Sequence, residues 1–191
     1  MPYLRVLFFR PVSEAFQRLT QEGLIKSKPQ VGTRIRIPTE TDIRDRFVIR
    51  EALESQSARL FSERASMAER RELRDLAEDL DALYLRRDSK PSNSSLVFQV
   101  NNDHLRLHTR IAACSGTLAL CKMIETNAVL IFNWLFDLIG EQPPIPPHFH
   151  RDLIAAISST DQTAADAAMR AHATIRSRGN YSEYAQDKHR D

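Results

Sequence analysis

The chain has 191 residues, 42% of them hydrophobic and 27% charged, which gives room for one ordinary domain plus a small one and excludes a wholly disordered polypeptide. Its formal charge of +2 is too small to mark a nucleic-acid binder by itself, yet the balance is uneven. Residues 1–38 hold seven basic side chains (Arg5, Arg10, Arg18, Lys26, Lys28, Arg34, Arg36) against two acids (Glu14, Glu22), a net of +5 that leaves −3 for the rest. A basic head on a mildly acidic body suits phosphate contact at one end and another task at the other. No run approaches the roughly 20 apolar residues of a membrane span. The opening MPYLRVLFFR lacks the long apolar region and cleavage site of a secretion signal, so a soluble, cytoplasmic protein with no membrane partner is expected.

Five glycines and apolar repeats at three-to-four spacing predict an almost wholly helical protein with one exception near its start. Residues PVSEAFQRLTQEGL read as a short amphipathic helix with Val12, Ala15, Phe16 and Leu19 on one side and Gly23 as its stop. LIKSKPQVGTRIRI then alternates apolar and basic residues about a Pro-Gln-Val-Gly turn, the pattern of a β-hairpin. Pro38 separates this segment from the remainder, giving predicted domains of 1–38 and 39–191. Thr39 or Thr41 caps a long helix whose stripe is Ile43, Phe47, Arg50, Leu53 and Leu60. Met67 to Arg87 forms a second, with Leu73, Leu76, Leu80 and Leu83. The polar stretch RDSKPSNSS is a loop, Leu96 to Ala113 a third helix ended by Gly116, and 117–139 a fourth, apolar on most sides and therefore expected in the middle of the bundle. Cys114 and Cys121, seven apart in apolar helical sequence, are expected to stack along one face as buried thiols too far apart to bond. GEQPPIPP breaks the helical pattern. Helices from about His148 to Ser158 and from Asp161 to Ala185 finish the chain, with Asp161 as an N-cap.

Histidines carry the most chemistry. His104 and His108, four apart in HLRLH, project from one helix face and suit chelation of one ion. If the last two helices run antiparallel across a turn near Thr160, His150 and His172 stand at similar heights. Neutral imidazoles suit zinc, nickel, copper and iron, and three or four with an open position leave room for a carboxylate or water. An i,i+4 histidine pair is also often plain surface or satisfied core, and spacing alone leaves both readings open. His148 and His189 have no partner in this scheme and are expected to face solvent.

Several segments together resemble a known family. PVSEAFQRLTQEGLIKSKPQVGTRI resembles the recognition helix and wing of GntR-family winged-helix regulators, and the remainder resembles the FCD effector domain of the FadR-like branch. VIREALESQSARL is similar to that domain's first helix, HLRLHTRIAACSGT to its Asp/Asn-x3-His motif, and HRDLIAAISSTDQTAADAAMRAH to its His, Ala, Asp, His pattern. The resemblance runs from Pro11 to about Tyr184 and implies an antiparallel helical bundle preceded by a partial winged helix. It implies a divalent metal at the floor of a pocket, where a small carboxylate effector completes the coordination. The histidine positions fall on His108, His150 and His172; the acidic position is His104, with Asp103 one residue off the face. Losing that carboxylate keeps a ligand but removes a negative charge, which favours zinc or nickel over magnesium or manganese. Arg50 matches an arginine that pairs with the effector carboxylate; an ordinary salt bridge inside the bundle explains it equally well.

On the DNA side the resemblance places Ser13, Gln17 and Arg18 at the major groove and Lys26, Lys28, Arg34 and Arg36 on the wing. A winged helix-turn-helix has two helices before its recognition helix, whereas ten residues unlike that lead-in precede PVSEAF, so only a partial reader is expected. Glu14 stands where the family carries arginine, a change unfavourable to phosphate. The expected function is a homodimeric, ligand-responsive transcription regulator, not an enzyme. The alternatives are a metal or ligand sensor or dimerisation partner that does not bind DNA, and a metal-dependent hydrolase.

Overall fold

A computed structural model describes residues 3–37, 39–89, 93–127 and 145–187, and the side chains among them apart from those of 3–10, 40, 43 and 175–187. Pro38, the far part of the helix predicted over 117–139, and His189 lie outside the described residues. The chain divides into two compact units, residues 1–39 and 40–191.

In the first unit, helix α1 (Tyr3–Gln21) precedes an antiparallel hairpin of β1 (Ile25–Lys28) and β2 (Gly32–Ile35). The helix ends because Gly23 takes φ +76°, a left-handed conformation that costs glycine little, which lets the Leu24 N–H reach back to the Leu19 carbonyl at 2.9 Å. The hairpin turns through Pro29–Val31, with the Val31 N–H on the Lys28 carbonyl. Its register sets Lys26 opposite Arg34 and Lys28 opposite Gly32. Sequence reading opened the helix at Pro11, a residue favoured in a first turn; instead α1 begins at Tyr3 and carries Pro11 inside it. The expected apolar side of that helix is not covered: Val12 and Phe16 are 54% and 44% exposed, and among residues 11–37 Ile25 alone is buried.

The second unit comprises α2 (Glu40–Arg64), α3 (Met67–Asp88), α4 (Ser94–Cys114), α5 (Leu118–Thr126), α6 (Phe149–Ile157) and α7 (Gln162–Asp187). Local chemistry sets most of these ends. Ser66 and Glu69 form a reciprocal capping box at α3, Asn93 accepts from the Leu96 N–H at α4, and Asp161 accepts from Thr163 and Ala164 at α7. Arg70 gathers carbonyls left over at two helix ends, donating to Ser62 and Ala65 of the α2 terminus and to Ser158 after α6. The core holds Phe61, Leu73, Leu80, Leu107, Ile111, Ile154, Ile157 and Met169, all but inaccessible to solvent. The predicted stripe of α3 is inside, with Leu76 partly buried.

Three expectations change. The buried seam of α2 is Arg50, Glu54, Ser55, Ser57, Ala58, Phe61 and Ser62, while Leu53 and Leu60 are half-buried. This helix packs chiefly against α7, which contributes Ala165, Met169 and Ala173, and small side chains there permit a close approach that hydrophobic periodicity does not register. Second, α5 is an edge helix over its described length: Ile124 is buried, but Leu118 and Met123 are 80% and 54% exposed. Third, Gly116 at φ +74° breaks the chain between the two cysteines, so Cys114 ends α4 and Cys121 lies on α5; Cys114 is buried, Cys121 half-buried, and both are free thiols.

Candidate metal centre

Three helices of the second unit deliver four histidines to one place. His104 and His108 come from adjacent turns of α4, His150 from the first turn of α6, and His172 from the middle of α7. The turn over Ser158–Asp161 folds α6 back along α7, as the equal-height argument required. Ring centroids lie 4.6 Å apart for His104 and His108, 5.2 Å for His108 and His172, 5.2 Å for His104 and His150, and 5.3 Å for His150 and His172. All four residues are at most 4% exposed. One nitrogen from each of His104, His108 and His172 falls within 4.8 Å of the others, and His150 borders this set.

Two carboxylates orient the rings. Glu54 on α2 places Oε2 3.1 Å from His108 Nδ1, and Asp81 on α3 places Oδ1 2.7 Å from His150 Nδ1. The Asp81 contact is a hydrogen bond, and a proton shared there on His150 Nδ1 puts the lone pair on Nε2, the tautomer a metal ligand needs; Glu54 stands at ion-pair distance from His108 Nδ1. Burial pushes the Glu54 carboxyl up, but Arg50 and His108 outweigh it and bring it down to about 2. Burial also raises Asp81, and the opposing hydrogen bonds from the His150 ring and from the backbone N–H groups of His150 and Arg151 leave it below the usual range. Those last two bonds, at 3.0 and 3.1 Å, make Asp81 the cap of α6, a role His148 leaves unfilled: His148 precedes the helix at φ 63° with no capping bond. His148 is exposed, as expected.

Arg50 faces the same rings. Its Nε donates to Glu54 Oε1 at 2.7 Å, and its Nη2 lies 3.5 Å from His104 Nε2 and 3.3 Å from His108 Nε2. The salt bridge inside the bundle is present, and the same guanidinium also reaches the histidines. Asp103 is half-buried and outside the cluster. Sequence reasoning missed Glu54, Asp81 and two aromatic walls. Tyr84 lies 4.9 Å from the His150 ring, and Phe149 stacks on His172 at 4.3 Å and 19°.

The donor set fits a borderline transition metal. Nitrogens sharing one ion at about 2.0–2.1 Å each stand roughly 3 Å apart, and His104 Nε2 is 3.0 Å from His108 Nε2. Buried imidazoles backed by carboxylates are what zinc or nickel favours, and among the described residues no carboxylate oxygen of the hard-cation kind joins the set.

In the first unit, Ser13, Gln17 and Arg18 are exposed along α1, and Arg18 pairs with Glu22 at 2.9 Å. Alternation along the hairpin puts Lys26, Lys28, Arg34 and Arg36 on one face. They line a concavity of about 320 Å³.

The FCD domain family matches residues 45–174 of this chain. Over 163 residues the chain is 26% identical to the HTH-type transcriptional repressor RspR of Escherichia coli strain K12, covering 85% of this chain and 69% of that protein. Among solved structures, E. coli McbR/YncC is similar with a TM-score of 0.67 at 20% identity, covering 92% of this chain and 81% of that one. Streptococcus agalactiae GntR gives 0.56 at 21% identity, with 87% and 80% covered.

Proposed function

Since the chain belongs to the FCD domain family, within the GntR family of transcription regulators, we propose that its helical unit senses a small anionic metabolite through a metal held by His104, His108, His150 and His172. The observation that carries this reading is the convergence of four buried imidazoles from three helices, two of them oriented by carboxylates. A bound zinc or nickel ion supplies a Lewis-acidic position open to an oxygen of the effector. The chain's own residues do the rest: Asp81 orients His150, Glu54 faces His108 and anchors Arg50, Tyr84 and Phe149 exclude water, and Arg50 supplies the positive charge for a carboxylate. Elemental analysis of tag-free protein tests the metal, with about one ion per chain expected and a content far below one in His108→Ala; a content far below one in the unaltered protein sinks the reading.

We further propose that the protein acts as a homodimer in the cytoplasm and that the first unit contacts DNA. Lys26 directly opposite Arg34 is unfavourable in an isolated hairpin and is relieved by an anion over that face, as a phosphate would be. A mobility-shift titration on the DNA upstream of its own coding region should give binding that weakens steeply with salt. The second reading, a sensor or partner without DNA binding, is favoured by one observation, the single buried side chain among residues 11–37, and absence of a salt-sensitive shift would establish it. The hydrolase alternative would require turnover of ester or phosphate substrates that His108→Ala abolishes.

A further inference from the structure

The Nε2 atoms of His104 and His108 face the guanidinium of Arg50 at 3.5 and 3.3 Å and face each other at 3.0 Å. His108 turns Nδ1 toward Glu54 Oε2 at 3.1 Å and Nε2 toward His104, so Nε2 is the atom through which that ring would hold an ion, and it is the same atom the arginine approaches. A guanidinium has five donors, no lone pair and no accessible neutral form, so it cannot join a coordination sphere. Its charge also repels a dication, in a place 2–4% exposed where solvent screens little. Arg50 is moreover tethered from behind by Glu54 Oε1, four residues along α2, so the tether and the imidazoles share one side chain.

We infer that Arg50 is a built-in competitor of the metal: in the metal-free protein its guanidinium holds the His104 and His108 lone pairs, and an ion enters only as Arg50 swings off them while keeping Glu54. This rests on the metal reading above and adds to it that the site has two alternative cationic occupants. Metal affinity is then set below what four imidazoles would give, and anything that draws the arginine away tightens the ion. By linkage the ion in turn releases an arginine for anion binding.

The test is zinc affinity, read by competition with a chromophoric chelator on the full-length, tag-free, metal-stripped chain. Arg50→Met should bind zinc at least tenfold more tightly than the unaltered protein, and Arg170→Met, which removes a half-exposed arginine from α7, should not change it. Should Arg50→Met fail to unfold cooperatively, Arg50→Lys decides: one ammonium cannot serve Glu54 and both imidazoles, so several-fold tightening is expected. Equal or weaker binding in the folded variant overturns the inference and leaves the metal reading standing. Zinc bound by neither the unaltered protein nor the Arg50 variants overturns the metal reading itself.

Discussion

At the scale of single residues, the consequential groups are the two carboxylates behind the histidines, because each does two jobs. Asp81 orients His150 and also caps α6, so removing its charge should separate the two effects. Asp81→Asn keeps one oxygen as an acceptor for His150 but loses the carboxylate charge and the oxygen that takes the Arg151 N–H, and zinc affinity should fall by about 10–100-fold. Isothermal titration reads that loss, and unchanged affinity would mean His150 is not a ligand. Glu54 gives a pH test. Its folded pKa, about 2, lies below the ordinary value of 4.5, so the stability it contributes is present above about 4.5 and disappears as pH falls toward 2. Urea unfolding of metal-free protein should therefore show stability dropping between pH 5 and 3 more steeply in the unaltered chain than in Glu54→Gln. Neither residue stands out in the sequence. Glu54 is one half of an ordinary-looking i,i+4 Arg–Glu pair, and Asp81 meets His150 from 69 residues away. In a chain that is 27% charged, partners are chosen only by tertiary packing. His104 and His108, by contrast, were legible because one helix turn fixes their relation, and His172 and His150 because a short turn does.

Among elements, α6 is the one whose placement decides the site, since it carries His150 and is only nine residues long. It is too short to persist alone and is pinned at both ends, by Asp81 at its start and by Arg70 on the Ser158 carbonyl at its finish. Arg70→Ala strands carbonyls at the ends of both α2 and α6, and should cost about 3 kcal/mol in chemical unfolding; a loss under about 0.5 kcal/mol would mean water replaces it. The entry to α6 holds strain that can be relieved. His148 sits at φ 63°, a left-handed conformation that asparagine tolerates at little cost. His148→Asn should raise the Tm by about 2 °C. Helix boundaries with local signals, Gly23, Gly116 and Asp161, were readable in advance. The buried seam of α2 was not: Glu54, Ser55 and Ser62 carry no hydrophobic signal, and their burial follows from what α7 brings against them.

At the level of the whole molecule, the two units differ in how much they bury. The second has a continuous core, whereas residues 11–37 enclose Ile25 and leave Val12, Phe16, Val31 and Ile35 exposed. Amide exchange should thus be fast through residues 11–37 and strongly protected in α3 and α4. A fragment beginning at Glu40 should unfold within about 0.5 kcal/mol of the full chain. A much less stable fragment would show that the basic segment supports the bundle. Fold class was accessible from composition and pattern. The small core of the basic segment was foreseeable only as an argument about size, because which apolar residues a helix and a hairpin leave uncovered depends on what packs over them.

The histidine cluster stands where a bundle of this size would ordinarily place leucines, so the centre of the protein is held together by groups that gain most when something binds among them. On the proposed reading, free ion at 100 times its dissociation constant adds about 2.7 kcal/mol to the folded state, a large share of what a domain possesses. A cell short of that ion would hold more unfolded chain, and its proteases would clear it faster. The lifetime of the protein would then register metal supply by itself, before any effector arrives and whether or not the basic segment ever meets DNA.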